Sequence, residues 1–193
     1  MSLCILYCDQ FEFKKATCRQ LSSSYGHAPG VHQWTPHHPI NQVNYINTTN
    51  GTKLPVMLKG KLIKLCSRTS FVGKQYDDQM NAMNRKPTDE KGHLLASQLC
   101  GPIVWWNLAP QSPLLNKNQG IGHSGWKPLE TRLANWLKGR KGRKDKRYVD
   151  WTVLVNYEIH ISFRPIGFKV CYKEFDANGK AHGRLKSPYF VNE

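Results

Sequence analysis

The chain has 193 residues, 39% of them hydrophobic and 21% charged, which suits one sizeable globular domain and excludes a disordered tail. Its 28 Lys and Arg residues against 13 Asp and Glu residues give a formal net charge of +15 at pH 7. This surplus favours a polyanionic partner through attraction and counterion release, with nucleic acid as the leading class. On charge alone, a solvated basic surface or an anionic membrane is the alternative.

Residues 1–50 are predicted to form an irregular N-terminal extension, and residues 51–193 the main domain. Serine, glycine and proline residues interrupt any regular element in the first segment. Its histidines and cysteines suggest zinc, but no pair has a familiar ligand spacing, so structural disulfides and surface histidines are the favoured interpretation. No run approaches the roughly 18 apolar residues of a membrane helix, and we expect no membrane span.

The cysteine content indicates secretion to an extracellular environment, with disulfides. The six cysteines form an even set, and two glycosylation sequons begin at Asn47 and Asn50. Six cysteines allow 15 pairings, which the sequence does not rank. The six are Cys4, Cys8, Cys18, Cys66, Cys100 and Cys171.

A strand-like pattern begins at Lys53, where apolar residues alternate with lysines as far as Leu65. We predict a turn near Gly60 within this pattern. A polar stretch over residues 75–90 then leads to His93, and the apolar run over residues 94–96 is expected to anchor that histidine in the core.

The next element is a helix predicted over residues 125–138. Its apolar residues recur at helical spacing, Pro128 is tolerated only in the first turn, and Gly139 is a natural stop. The segment after Gly139 is too basic and too rich in glycine to pack, so we expect an exposed loop that contacts nucleic acid. Its basic residues are Arg140, Lys141, Arg143, Lys144, Lys146 and Arg147.

The last part of the chain is predicted to form an antiparallel meander. Apolar residues alternate from Val153 to Phe163, a turn follows at residues 164–167, and alternation resumes from Phe168 to Tyr172. A second turn at residues 176–179 precedes a short strand at residues 185–191. A curved antiparallel sheet with one helix packed on it is an α+β fold.

Four short motifs carry side chains suited to chemistry: Gly92-His93-Leu94, Asn107-Leu108-x-Pro110-Gln111, Leu115-Asn116 and Trp126-x-x-Leu129-Glu130. Together they resemble motifs of the DNA/RNA non-specific endonuclease family, the ββα-metal or His-Me finger nucleases. The resemblance covers roughly residues 60–192. It is closest to the branch with a Pro-Thr-Asp-x-x-Gly-His-Leu stretch, here Pro87 to Leu94, and a Phe-x-Asn ending, here Phe190 to Asn192. It implies that residues 51–193 form an endonuclease domain with a metal-site helix packed on its sheet.

The resemblance also implies roles for five residues. His93 would be the general base that takes a proton from the attacking water, since neutral imidazole accepts a proton near neutral pH. Asn116 would bind one hydrated Mg²⁺ or Mn²⁺ ion through its amide oxygen. Asn107 and Gln111 would flank that ion or contact the phosphate. Glu130 would hold a water of the hydrated ion and assist proton transfer to the leaving 3′ oxygen.

From the residues alone, a purely structural role stays open at three of these positions. Asn116 could cap or turn the chain, Glu130 could be a solvated carboxylate in the first helical turn, and Gln111 could serve only the loop structure. The chain also departs from the better-known branch, which has Asp-Arg-Gly-His where this sequence has Glu90 to His93. Lys91 therefore replaces an arginine, and it would contact phosphate as a point charge.

The predicted function is an endonuclease that hydrolyses phosphodiester bonds of DNA and RNA with little sequence specificity, since backbone contacts carry no base information. The resemblance implies products with 5′ phosphate and 3′ hydroxyl ends. The alternative is a non-catalytic nucleic-acid-binding protein that retains the nuclease fold. A toxin or secreted defence role is compatible with the first function. DNA and RNA are the expected partners, an inhibitor or immunity protein is a further partner class, and no membrane partner is expected.

Overall fold

The structure is a computed structural model that describes residues 30–33, 39–117, 125–139, 146–158 and 162–193. Nine strands and three α-helices lie in these ranges. The strands are β1 (Gly30–Gln33), β2 (Ile40–Asn47), β3 (Lys53–Leu62), β4 (Glu90–His93), β5 (Leu108–Gln111), β6 (Tyr148–Tyr157), β7 (Pro165–Phe175), β8 (Ala181–Lys186) and β9 (Tyr189–Val191). The helices are α1 (Lys74–Ala82), α2 (Pro113–Asn116) and α3 (Trp126–Lys138), and short 3₁₀ turns occupy Ser97–Leu99 and Trp105–Asn107.

Seven of the strands form one antiparallel sheet. Its order is β1-β2-β3-β6-β7-β8, and β9 pairs with β7 on the same sheet. Strands β4 and β5 form a separate two-stranded sheet that carries the His93 motif. Because all the pairings are antiparallel and helices are few, the predicted α+β class is confirmed.

The prediction of a turn near Gly60 is wrong. Strand β3 continues through this residue, which pairs with Trp151 on β6 and with Ile40 on β2. A Cβ atom at position 60 would lie 1.8 Å from the carbonyl oxygen of Pro39. Glycine is therefore required for close backbone approach, and it does not mark a bend.

Regular structure begins earlier than the sequence predicts. Residues before 50 were expected to be irregular, but Ile40–Asn47 pairs along β3, with Ile40 and Val43 fully buried. The apolar residues are few and polar residues separate them, so the alternation is too short to stand out against the nearby proline and glycine residues. The histidines and cysteines before residue 30 lie outside the described residues.

Strand β6 differs from the expected half-buried strand. It starts at Tyr148 and ends at Tyr157, and its last five residues are all buried. Its edges are covered as well, because β6 pairs with β3 on one side and with β7 on the other. Asn156 is tolerated in this buried run because it hydrogen-bonds to Tyr189 across the sheet.

The predicted helix is confirmed as α3, which runs from Trp126 to Lys138. Trp126, Leu129 and Leu133 are buried against the sheet, as their spacing indicates. None of the helices in the described part of the chain has the length and apolar character to cross a membrane.

A buried ion pair connects the main sheet to the small β4–β5 sheet. Arg164, just before β7, donates two hydrogen bonds of 2.7 and 2.8 Å to Asp89, just before β4. Asn192 extends the connection, since its side chain accepts from the Ser112 backbone amide at 2.8 Å and donates to Pro110 and Pro165 carbonyl oxygens. These contacts fix the β4–β5 sheet and the start of α2 relative to the core.

Candidate active site

His93 lies at the end of β4, and its backbone carbonyl oxygen accepts a 3.3 Å hydrogen bond from the side-chain amide of Gln111. Its ring packs on Phe71, with 4.4 Å between the ring centroids. Burial lowers the pKa of His93 to about 4, so the imidazole is neutral at pH 7. Its Nε2 atom is buried, and no hydrogen-bond partner for it is found among the described residues. The ring therefore carries a proton-accepting group that the described residues leave free.

Asn116 is the last residue of the short helix α2. The helix begins after Ser112, whose hydroxyl accepts from the Leu115 backbone amide, and Pro113 occupies its first position. The Asn116 amide nitrogen donates a 2.7 Å hydrogen bond to the Glu90 carboxylate. This contact fixes the orientation of the amide and leaves its oxygen for another partner.

Glu130 lies in the second turn of α3, where burial raises its pKa to about 7. The Trp126 indole and the positive charges of Arg68 and Lys127 oppose this rise. The indole is close enough to act on the carboxylate but forms no hydrogen bond of normal geometry with it. A carboxyl group with a raised pKa beside basic residues is typical of a functional site.

His93, Asn116 and Glu130 face one cleft of about 340 Å³. The small β4–β5 sheet and two helices therefore bring together residues that three separate motifs supply. Among the described residues, four basic side chains also line this cleft, which makes it suited to a phosphate. The described residues that line it are Arg68, Thr69, Ser70, Phe71, Lys91, His93, Ala96, Ser97, Gln98, Asn116, Lys117, Lys127 and Glu130.

Three of the basic residues in the cleft were not among the predicted site residues. Lys127 precedes Glu130 by three positions on α3, and this spacing was a usable signal because it places both on one helical face. Lys117 adjoins Asn116 and forms an ion pair with Glu90. Arg68 had no local signal, because the fold brings it from the end of β3 to the cleft.

A disulfide holds the segment that carries Arg68. Cys66 is bonded to Cys100, which follows the 3₁₀ turn Ser97–Leu99. Cys171 on β7 is also disulfide-bonded. The expected disulfides are thus present in the described part of the chain.

Asn107 does not reach the cleft, although the sequence predicted a catalytic role for it. It is fully buried, and its amide donates to the carbonyl oxygens of Leu95 and Pro102 and accepts from the Leu95 backbone amide. Backbone groups therefore occupy the hydrogen-bonding atoms of the amide, and Asn107 has a structural role beside the site.

Gln111 is also not among the described residues that line the cleft, and its predicted contact with nucleic acid stays a prediction. It is fully buried on β5, and its side chain lies against Gly92. A Cβ atom at position 92 would lie 2.1 Å from Gln111 Cδ, so glycine there makes room for this side chain. Gln111 thereby supports the backbone of His93.

The predicted nucleic-acid-binding lysines and arginines are divided between two places. Lys91 lines the cleft, where it forms a 2.8 Å ion pair with Asp77. Lys146 is exposed and Arg147 packs on the Trp136 ring, at the far end of α3 from the cleft. Arg140, Lys141, Arg143 and Lys144 lie outside the described residues, and their role stays a prediction.

The donor groups in the cleft fit a hard cation that keeps most of its water. Within the described ranges, no group of three or more His, Cys, Asp or Glu side chains could hold a metal ion. A soft or tightly chelated metal needs such a group, whereas Mg²⁺ is typically bound through one or two protein oxygens. The Asn116 oxygen, oriented by Glu90, is a ligand of that kind.

Known structures with a similar fold are nucleases. One, an extracellular nuclease, is 16% identical with a TM-score of 0.51, and the match covers 86% of this chain and 90% of that one. A second, Sda1 nuclease with bound zinc ion, is 12% identical with a TM-score of 0.53, covering 87% and 85%. EndoG in the EndoG/EndoGI complex is 16% identical with a TM-score of 0.51, covering 93% and 82%. At these identities the similarity is one of fold.

No sequence among the curated proteins matches the chain. The family comparison agrees with the fold, and it spans the chain from β2 to β7, including the β4–β5 pair and the cleft helices. The model of the DNA/RNA non-specific endonuclease family matches residues 37–175, which is most of the chain, and the protein therefore belongs to the DNA/RNA non-specific endonuclease family.

Proposed function

We propose that this protein is a metal-dependent endonuclease that hydrolyses DNA and RNA with little sequence preference. The observation that carries the proposal is the convergence of His93, Asn116 and Glu130 on one basic cleft. A phosphodiesterase needs a base for water, a cation beside the phosphate and positive charge to hold the polymer. The cleft contains a candidate for each.

His93 is the proposed general base. Its Nε2 atom has no partner among the described residues, and the lowered pKa keeps the ring neutral at physiological pH. A neutral imidazole can take the proton from a water that attacks phosphorus. The Phe71 ring and the hydrogen bond from Gln111 to the His93 carbonyl oxygen hold the ring and its backbone in place.

Asn116 is the proposed protein ligand of a single Mg²⁺ or Mn²⁺ ion. Such an ion would stabilise negative charge on the phosphate and the leaving oxygen. Glu90 orients the Asn116 amide, and Glu130 lies where its carboxylate can accept from water bound in the cleft. Arg68, Lys117 and Lys127 hold phosphate oxygens, which are common to DNA and RNA and carry no sequence information.

The catalytic domain is proposed to start near residue 30. Strand β1 pairs with β2, and β2 pairs with β3 and buries apolar residues in the same core as α3. The boundary expected at residue 51 would remove both strands. A fragment beginning at residue 51 would expose the edge of β3.

Secretion is proposed from the disulfides, since such bonds persist in oxidising compartments. One similar fold was solved as an EndoG/EndoGI complex that describes inhibition of EndoG. An inhibitory protein partner is proposed for this chain on that parallel, with the basic cleft as the surface it would cover.

Removal of divalent cations is expected to abolish cleavage. Purified protein is incubated with supercoiled plasmid and with RNA, in Mg²⁺ or in excess chelator, and the products are resolved on gels. We expect both substrates to be cut in Mg²⁺ and neither in chelator. Binding that persists in chelator without any cleavage in Mg²⁺ would instead support the non-catalytic alternative.

Mg²⁺ affinity is expected to rise with pH through about 7, the pKa of Glu130 without metal. Below that pH the Glu130 carboxyl group is protonated, and it must lose its proton before its negative charge can attract the cation. Mg²⁺ binding is therefore weaker at pH 6 than at pH 8. His93 does not contribute in this range, because its pKa is about 4. Calorimetric titration with Mg²⁺ measures the affinity at each pH.

The matched control for this titration is Glu130→Gln, which keeps the shape of the side chain and removes its ionisation. We expect the affinity of this variant to be nearly independent of pH between 6 and 8. If the Mg²⁺ affinity of this variant keeps the full pH dependence of the parent, Glu130 is not part of the cation site.

A further inference from the structure

One wall of the cleft is a segment with little support of its own. Residues 63–70, which we call the strap, connect β3 to Phe71 and contribute Arg68, Thr69 and Ser70 to the cleft. The strap has no regular secondary structure, and all of its residues are exposed except the half-buried Leu65. A segment with so few buried contacts depends on local tethers to keep its position.

The surface that the strap lies against is rigid by comparison. Leu94 and Leu95, before the 3₁₀ turn, and Leu99, within it, are fully buried. The side-chain amide of Asn107 also accepts a hydrogen bond from the Leu95 backbone N–H and donates one to the Leu95 carbonyl oxygen. Cys100 and Gln98 therefore project from a part of the chain that is fixed in the core.

The strap is tied to this turn at successive points. The Cys66–Cys100 disulfide is the covalent one. The Cys66 backbone amide donates to the Gln98 carbonyl oxygen at 3.1 Å, and the Thr69 amide donates to the Ser97 hydroxyl at 3.0 Å. Between them the Arg68 guanidinium donates to the Gln98 side-chain oxygen at 3.0 Å. Arg68 is thus held at the cleft by contacts immediately beside the disulfide.

Arg68 also acts electrostatically on the cleft. Burial raises the pKa of Glu130, and the charge of Arg68 is one of the effects that oppose the rise. The guanidinium lines the same cleft as the Glu130 carboxylate, on the wall that the strap forms. From this position it can donate to a phosphate that enters the cleft.

We propose that the Cys66–Cys100 disulfide positions Arg68 for substrate binding, so that breaking the bond weakens the hold on the phosphodiester while leaving His93 in place. The inference rests on the proposed function and adds a redox dependence to it. Both cysteines act through Arg68 and neither touches the substrate. The two backbone hydrogen bonds survive reduction, so the loss is partial.

A dithiol reductant supplies the two electrons and two protons that reduction requires. The Cys66–Cys100 sulfur–sulfur bond breaks, two thiols form, and the reductant becomes a cyclic disulfide. Such a nuclease binds substrate more weakly in a reducing cytosol and tightly in an oxidising compartment. Cys66 is exposed, so the bond is open to exchange.

The test compares four full-length proteins on a DNA substrate in Mg²⁺: the parent, the double variant Cys66→Ser with Cys100→Ser, Arg68→Gln, and the triple variant that combines them. For the double variant we expect KM to rise about 10-fold and kcat to change less than about 3-fold, which marks lost binding. In the Arg68→Gln background the same cysteine changes should raise KM no further, since the side chain they position is already gone.

Cys171→Ser is the matched control, because it removes another disulfide from the sheet and leaves the strap bonded. Its KM should stay within about 2-fold of the parent. The inference is overturned if the double variant keeps the parent KM, if the cysteine changes raise KM equally without Arg68, or if Cys171→Ser has the same effect.

A loss of fold in the double variant, seen by circular dichroism, calls for a second measurement. The parent and Arg68→Gln are then assayed oxidised and after dithiol treatment, so that both proteins lose the same disulfides and differ only at position 68. A KM rise confined to the protein with Arg68 supports the inference, and an equal or absent rise contradicts it. Failure of the proposed function is distinct, because it would appear as the absence of Mg²⁺-dependent cleavage by the parent protein.

Discussion

Replacement of His93 by alanine is expected to lower kcat by about 1000-fold while DNA binding stays unchanged. Among the described residues, the imidazole belongs to the one histidine that lines the cleft, and its buried Nε2 atom has no partner there. Its loss removes the acceptor for the proton of the attacking water. The phosphate-binding side chains Arg68, Lys117 and Lys127 do not contact the ring in any described hydrogen bond, so they remain.

The assay measures Mg²⁺-dependent cleavage of plasmid and, separately, the affinity for a labelled DNA duplex in chelator. His182→Ala is the matched control, since this histidine is exposed on β8 and packs on Trp136 at a distance from the cleft. The control should cut at the parental rate. A His93→Ala protein that cuts as fast as the parent would show that the general base is a different group.

Replacement of Asn116 by alanine is expected to lower turnover by about 100-fold at a fixed Mg²⁺ concentration. The Asn116 amide oxygen is the proposed protein ligand, and the only described contact of the amide nitrogen is with Glu90. Replacing Asn116 removes the proposed metal ligand and also the hydrogen-bond donor to the Glu90 carboxylate. Higher Mg²⁺ should restore part of the lost activity, because weaker binding is overcome by mass action.

A second substitution separates the ligand from the residue that orients it. Glu90→Gln retains an acceptor for the Asn116 amide and should cost less activity than Asn116→Ala. Asn135→Ala is the control, since this asparagine is exposed on α3. If the turnover of Asn116→Ala depends on Mg²⁺ concentration as the parent's does, Asn116 is not a ligand of the metal ion.

Much of the local structure could be predicted because it depends on neighbours in the sequence. The α3 helix follows from apolar spacing, Pro128 and Gly139, and its bounds agree with the prediction to within one residue. The alternation around Phe168 and Tyr172 likewise identifies β7. The same local rules failed at Gly60, where the cause is close approach to Pro39, the residue before the neighbouring strand β2.

The candidate site was predictable where a motif identifies a side chain that the fold leaves available. His93, Asn116 and Glu130 are such residues, and all three face the cleft. Asn107 and Gln111 belong to the same motifs, yet both are fully buried and bound within the protein. An amide that binds a ligand and an amide that binds backbone look alike in a sequence, because the difference lies in what surrounds them.

By itself the sequence determined the chemical inventory: a strongly basic chain, a histidine and an asparagine in recognisable motifs, and apolar patterns with the periods of a helix and of strands. Those properties are local or additive, so no knowledge of contacts is needed to read them. The tertiary structure decided which polar groups are free. It paired Arg164 with Asp89, enclosed Asn107, and brought Arg68 to Glu130 through a disulfide, since each of these depends on residues that are distant in sequence and adjacent only in the fold.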